Sequence, residues 1–385
     1  MKQNVANVPL AFAMAAIIGL SGIAVAGEEG MKTSVHRDGD RVWIEGVAGW
    51  SSGEKESSVH AAQEAVMQAM GENTSYVYLL GVSGLAFRMQ VSKDGFCPSS
   101  PHSSCGYQCV TRSTQSLPWK MRPFEVKPGQ KEKVAEARRA VADSIKRGIP
   151  VQYGSEEDGV IVGYQKNGEE WICLHPHREG GKKPFTETHF PWGIAVFSER
   201  KTEMPLRRDL ARGSLQQAAD MAKAGETEGY FVGFRAWDEY TKKLRALDKA
   251  DEKTRKDAML GNAWIYECLA QYRGCAAQYL REVAGEFDKQ TAEHLVRAAD
   301  LYEKMANQVL RDAEHCVVTV APYAWALKDG KTWTAEARQE QVKRLETALT
   351  LERRAISEIE AALALPEHSN PAEPSAPADV GKPSR

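Results

Sequence analysis

The sequence predicts an α+β domain with an antiparallel sheet, followed by an all-α helical domain. Three observations carry that prediction. Short apolar runs bounded by turn signals fill residues 31–200. From 204 to 365 the apolar positions keep only the helical period. The chain has 385 residues, room for roughly two domains of ordinary size. Its 42% hydrophobic and 26% charged residues are globular values. Fifty Lys and Arg against 52 Asp and Glu leave a formal charge of −2, and no basic run is dense enough for nucleic acid, so that partner class is set aside.

The start of the chain is read separately. Lys2 precedes the apolar stretch VPLAFAMAAIIGLSGIAVA, which closes on Ala24-Val25-Ala26. A basic start, an apolar middle and small residues two positions apart make residues 1–26 a signal peptide, cleaved after Ala26. The competing reading is an uncleaved anchor, which Pro9, Ser21 and Gly22 weaken. The mature protein is therefore expected in the periplasm or outside the cell, with no membrane contact after cleavage.

In the first domain, KTSVHR and RVWIEG flank Asp38-Gly39-Asp40 and predict a hairpin. Ser57 or Ser58 caps a helix to Gly71 whose apolar residues Val59, Ala62, Val66, Ala69 and Met70 share a face. SYVYLLG reads as a second short helix, and LAFRMQV, with Leu85, Phe87, Met89 and Val91 alternating, as a strand. Residues 92–128 form a long Ser-, Pro- and Cys-rich loop, a length usually functional or stapled. An amphipathic helix then carries Val134, Ala137, Val141 and Ile145 and ends at Gly148 and Pro150. VQYG, VIVGY, WICL and IAVF follow as strands, with Lys166-Asn167-Gly168 as a tight turn. The second domain reads as helices: SLQQAADMAKA, YFVGFRAWDEYTKKLRAL, Thr254–Phe287, Thr291 to about Val318, and Thr334–Leu365. The Pro- and Ser-rich residues 366–385 form a disordered tail.

An exported chain makes disulfides plausible for its seven cysteines. Cys97, Cys105 and Cys109 share the long loop and are expected to staple it; the alternative is zinc, with His102 as the fourth ligand. Cys268 and Cys275 lie about 10 Å apart along one helix, beyond disulfide reach, so either would bridge to Cys316 instead.

Other clusters have a functional and a bland reading. Cys173, His175 and His177 alternate, with His189 nearby, a pattern a metal could use; Pro176 breaks the ladder and Cys173 reads as core, so no metal is assigned. Gly81-Val82-Ser83-Gly84 lacks the spacing of a nucleophile elbow, and Ser83 is expected in a turn lining the cleft. Glu156, Glu157 and Asp158 lead into a buried strand, either as a solvated entry or as a polar cleft mouth with Asp158 facing Ser58. Tyr230, Phe231, Phe234, Trp237 and Tyr240 recur at helical spacing and read as packing.

SSVHAAQEAVMQAMG, YLLGVSGLAF, GIPVQYG and EDGVIVGYQKNGEEWICLHP together resemble the N-terminal domain of butirosin-biosynthesis protein H, which shares the papain-like fold of the bacteriocin-leader (double-glycine) cysteine peptidases. Tyr230, Gly233, Trp237 and Arg273 through Leu280 resemble the helical region that follows this domain in some relatives. The resemblance implies a cleft in which a nucleophile at a helix N-terminus faces a strand-borne base and its orienting partner. Ser58 stands where that family has Cys, Asp158 where it has His, and His175 where it has Asp. A serine hydroxyl is not activated by a helix dipole as a thiol is, and a carboxylate is a weak base near neutrality. The expected function is therefore a degenerate cysteine-peptidase-like or acyltransferase-like cleft that binds a peptide or small acyl-type ligand. The alternative is an acyltransferase or hydrolase using Ser58 or Cys97 with His175. No cofactor motif is present, and the oligomeric state is open.

Overall fold

The computed structural model describes residues 33–127, 129–191, 193–311, 317–327 and 332–366. The expected signal peptide, the tail beyond Pro366, and Cys316 with its expected bridge lie outside them. Eight strands form one antiparallel sheet: β1 (Ser34–Asp38), β2 (Arg41–Glu45), β4 (Trp119–Glu125), β5 (Val151–Gly154), β6 (Asp158–Gln165), β7 (Glu170–Leu174), β8 (Phe185–Glu187) and β9 (Gly193–Arg200). Central β6 pairs with β7 along one edge; along the other, Asp158–Ile161 pair with β5 and Gly163–Tyr164 with β2. The sheet continues from β5 through β9 to β4, and from β7 to β8.

Each face of the sheet carries a helix because alternate strand residues are apolar on both sides. Helix α4 (Lys131–Lys146) lays Ala137, Val141 and Ile145 on Val42, Ile44, Ile161, Trp171 and Val196. Against the other face packs α1 (Ser58–Ala69), whose Val66 and Met67 meet a larger core that includes Val160, Val162 and Leu174. That core runs on without a break into the helical half. Gly81 of α2 (Tyr76–Val82) lies so close to Tyr279 that a Cβ there would overlap its ring.

The helical half consists of α5 (Arg207–Lys223), α6 (Phe234–Ala246), α7 (Glu252–Ala284), α8 (Lys289–Lys304), a short α9 (Val317–Val320) and α10 (Ala335–Ala364), with α8 running into a π-helical turn at Met305–Leu310. Asp251 and Asp288 accept from the backbone N–H groups of Thr254 and Thr291, so these two helices begin before the threonines that the periodicity marked. At the centre, Arg273 of α7 is fully buried and forms a two-pronged pair with Glu352 of α10 at 2.8 and 2.9 Å. Its remaining nitrogen donates to the carbonyls of Ala86 and Arg88, tying the two halves together.

Several sequence expectations are corrected. The strand expected at LAFRMQV is mostly a 3₁₀ turn, with β3 confined to Gln90–Ser92, because Leu85 through Gln90 are buried on every side and apolar alternation carries no information there. Within the expected loop 92–128 lie α3 (Thr111–Ser116) and β4; the latter contains Pro123, tolerated because β4 is the edge strand. β structure also persists past 204: β10 (Gly225–Thr227) and β11 (Tyr230–Val232) pair with each other, and β11 with β3. Gly233, at φ +62° and with no room for a Cβ against the Met221 and Ala222 carbonyls, separates β11 from α6, so Tyr230 and Phe231 belong to a strand and only Phe234, Trp237 and Tyr240 to the helix. No helix among the described residues is long and apolar enough to cross a membrane.

Candidate functional site

The N-terminus of α1, the β5–β6 turn, the end of β7, the cysteine loop and α7 meet around one groove of about 1390 Å³. Its floor is the turn Ser155–Asp158. Ser155 closes that turn by donating to the Glu157 carbonyl at 2.8 Å, which aims the Glu157 side chain at α1.

Ser58 is 2% exposed, directly beneath this floor. Its Oγ donates to Glu157 Oε2 at 2.5 Å and accepts from the Asp158 backbone N–H at 3.0 Å. The Asp158 carboxylate turns elsewhere and accepts from Gln152 Nε2 at 2.7 Å. Asp158 therefore does not face Ser58 through its carboxylate, as the cleft-mouth alternative had it; the neighbouring Glu157 does. The reason is strand alternation: Asp158 is paired across from Gly154 in β6, whereas Glu157 is still in the turn and free to reach back. Burial, reinforced by Asp158 and Glu156 against the bond from Ser58, raises the Glu157 carboxyl to about 7. Burial raises Asp158 to about 6, with Gln152 opposing.

His175 follows β7 and lines the same groove. Its Nδ1 accepts from the His177 N–H at 3.2 Å, and the ring donates to the Glu157 backbone. Burial, with His177 beside it, lowers His175 to about 4, so the ring is neutral at physiological pH. Ser58, Asp158 and His175 thus border the same turn without their side chains joining, and Glu157 stands between the serine and the imidazole. Among the described residues no hydrogen bond joins His175 to Ser58.

A second pairing went unread in the sequence. Ser57, the N-cap of α1, places Oγ 2.7 Å from His60 Nδ1, while His60 Nε2 is buried without a partner. The Ser-x-x-His spacing on one helix face was the available signal. Burial pulls His60 down to about 3, too weak a base to activate a hydroxyl at neutral pH.

The cysteine loop is held by charge rather than by sulfur. All six described cysteines are free thiols, so the expected staple among Cys97, Cys105 and Cys109 is not formed. In its place, Arg88 donates to the carbonyls of Ser100, His102, Cys105 and Tyr107 at 2.6–3.1 Å, and Gln90 to those of Ser100 and Cys105. A buried guanidinium encircled by carbonyls fixes the loop as a cross-link would. Pro98, Ser99, His102 and Cys105 line the groove, whereas Cys97 stands outside that lining. Burial pushes the thiols of Cys109, Cys173, Cys268 and Cys275 upward, away from thiolate.

Ser83 lies in a turn, as expected, where its Oγ donates to Leu80 and accepts from Leu85, but it borders a separate cavity of about 380 Å³ rather than the groove. Cys173, His175 and His189 line a third cavity of about 280 Å³ with Glu187 and Arg178. Among the described residues no set of three or more His, Cys, Asp or Glu is spaced to hold a metal ion.

The helical half supplies the far wall of the groove. Leu260, Trp264 and Glu267 project from α7, and Tyr323 and Trp325 from the segment after α9. Tyr323 donates to Glu267 Oε2 at 2.6 Å and stacks on Trp325 at 4.4 Å and 13°. Trp264 meets His177 across the groove, ring centres 5.8 Å apart. These wall residues were missed because they come from two segments distant in sequence, each of which reads alone as ordinary helical packing. No protein-family model matches this chain, and no curated protein does.

Proposed function

We propose that this chain is an exported ligand-binding protein: a papain-like domain, related to the N-terminal domain of butirosin-biosynthesis protein H, whose cleft holds a peptide or small ligand without Cys–His chemistry. The observation that carries this reading is the state of Ser58. The hydroxyl at the position the resemblance assigns to the nucleophile is buried, and it is engaged by Glu157 and by the Asp158 N–H. Above it the groove stays open. Two large apolar residues that are exposed, Leu260 at 46% and Trp325 at 71%, stand at its wall, as a surface that covers itself with ligand would have them.

The hydrolase reading has one observation in its favour, the 2.5 Å contact between Ser58 Oγ and a carboxyl held near 7, a base matched to neutral pH. A fluorophosphonate probe separates the two. We expect intact-mass spectrometry of the native protein to show no adduct at Ser58, a mature N-terminus at Gly27, and a co-purifying peptide or small molecule that is lost from Trp264→Ala. Stoichiometric labelling of Ser58, absent from Ser58→Ala, would overturn the binding reading in favour of the enzyme.

A further inference from the structure

We propose that the groove end walled by Trp264, Tyr323 and Trp325 beside Glu267 and Glu56 binds an alkylammonium group, carried by a lysine side chain or by the free amine of a peptide. This deepens the ligand-binding reading and rests on it.

The charge balance of the lining comes first. Glu156, Glu157, Asp158 and Glu267 face the groove, and among the described residues Arg178 is the Lys or Arg that lines it. Arg178 sits over the Phe185 ring, 5.6 Å from its centre. The three imidazoles add no positive charge: burial lowers His102, His175 and His177 alike. Elsewhere in this protein, buried carboxylates have cations of their own. Glu352 has Arg273 and Glu64 has Lys55.

Glu56 supplies the second observation. It is 4% exposed, its Oε2 accepts from the groove residue Ser52 at 3.4 Å, and among the described residues its Oε1 has no partner within hydrogen-bond distance and angle. Burial and then the facing Glu267 raise its carboxyl to about 7; the nearby Gly53 backbone N–H, Arg311 within electrostatic range and the Ser52 hydroxyl offset this only in part. A buried carboxylate oxygen with nothing to accept from is a cost that an arriving N–H donor removes.

The aromatic wall is the third. A protonated amine is attracted to the faces of Trp and Tyr rings as well as to carboxylates, and the two together distinguish it from a metal ion or a neutral donor. The Tyr323–Trp325 stack keeps the rings beside Glu267, because the Tyr323 hydroxyl is bonded to that carboxylate. The rings and the Glu267 carboxylate therefore share one end of the groove, and Glu56, which is not itself a lining residue, adjoins that end through Ser52 and faces Glu267.

The test is titration of the full chain, followed by tryptophan fluorescence and calorimetry, with four probes: Nα-acetyl-lysine amide, its neutral isostere Nα-acetyl-norleucine amide, a tripeptide with a free N-terminus, and the same tripeptide acetylated. At pH 8 for the lysine pair, and at pH 7 for the tripeptide pair because a terminal amine loses its proton near pH 8, we expect the ammonium-bearing probe to bind at least tenfold more tightly than its neutral counterpart; whichever pair shows the gap identifies the source of the amine. For the lysine pair the gap should shrink as pH falls from 8 to 5, because Glu56, Glu157 and Asp158 take up protons there while the side-chain amine stays charged. At pH 6.5, calorimetry in buffers of different ionisation enthalpy should show proton release on binding. Glu267→Gln should cost about tenfold in affinity for the ammonium probe and leave the neutral one unchanged. Should that variant fail to fold, the lysine–norleucine comparison in the wild type decides alone. Equal binding of charged and neutral probes would overturn the amine assignment and leave the binding reading standing; binding of no probe, with nothing co-purifying, would sink both.

Discussion

Two groups of buried carboxylates in this protein have opposite surroundings. Glu352, in the middle of the helical half, is closed on by Arg273 from two directions, and that guanidinium spends its remaining nitrogen on the carbonyls of Ala86 and Arg88. Burial pushes its carboxyl up while Arg273 pulls it back. At the groove, Glu56 and Glu157 are held by serine hydroxyls and Asp158 by an amide, and among the described residues no cation is hydrogen-bonded to any of them. The first arrangement is complete without any outside molecule. The second is left with charge unbalanced beside an open surface, and this is the mark of a site rather than of a strut.

Removing the cation from the complete arrangement should have the largest effect. Arg273→Met leaves Glu352 buried and alone, and we expect a loss of about 3–5 kcal/mol in urea unfolding. Pairing it with Glu352→Met should recover much of that loss. If the single variant costs less than about 1 kcal/mol, the Arg273 pair is not the strut we describe.

Arg88 is the equivalent strut beside the groove, with carbonyls in place of a carboxylate. Arg88→Met frees four acceptors and should destabilise by about 2–3 kcal/mol, since bonds to charged groups are worth more than neutral ones but are not additive. The loop should loosen first, so Cys105 and Cys97 should alkylate several times faster than in the wild type. Unchanged alkylation would mean that the loop is held by something other than its guanidinium.

Glu56 probes the unbalanced group through pH. Its carboxyl is higher when folded, about 7, than the ordinary 4.5, so between those values the folded chain holds more protons than the unfolded one. Stability contributed by Glu56 is therefore full below about pH 4.5 and is lost as pH rises through 7. Glu56→Gln should remove that loss, stabilising the protein by about 1–3 kcal/mol at pH 8 and by almost nothing at pH 5. A variant less stable than wild type at both pH values would show that the carboxylate is satisfied after all.

The same contrast explains what could be read from the sequence. The hairpin at Asp38-Gly39-Asp40, the α1 and α4 faces and the turn at Lys166-Asn167-Gly168 are local, and each was legible because neighbouring residues alone determine it. Ser58, Asp158 and His175 were placed together through a resemblance; they border one turn, but Ser58 reaches Asp158 only through its backbone N–H and His175 reaches only the Glu157 backbone. That Glu157 rather than Asp158 takes the serine was not legible, because strand register decides it one residue at a time. Arg88 was passed over inside an apolar run, although its guanidinium holds the loop that the cysteines were expected to staple. Tyr230 and Phe231 imitated a helical period across Gly233, whose left-handed backbone could have signalled the break. The aromatic wall depended on bringing α7 and residues 323–325 onto the groove, a purely long-range event.

The smallest effect we expect is also the one that bears most directly on chemistry. Ser58→Ala deletes a hydroxyl whose two bonds are both internal, so the cost should be about 1 kcal/mol, that of one buried hydrogen-bonding group. Glu157 then loses the donor that opposes its burial, and its carboxyl should climb further above 7, which carbon-detected NMR of the labelled glutamates can follow. Affinity for a groove ligand should stay within about twofold, because the serine lies below the floor and does not touch what binds above it. A binding site predicts that silence. An enzyme whose nucleophile is Ser58 predicts that turnover disappears while affinity holds, so any acyl substrate hydrolysed by the wild type and left intact by Ser58→Ala would show that Glu157 holds the hydroxyl ready rather than idle.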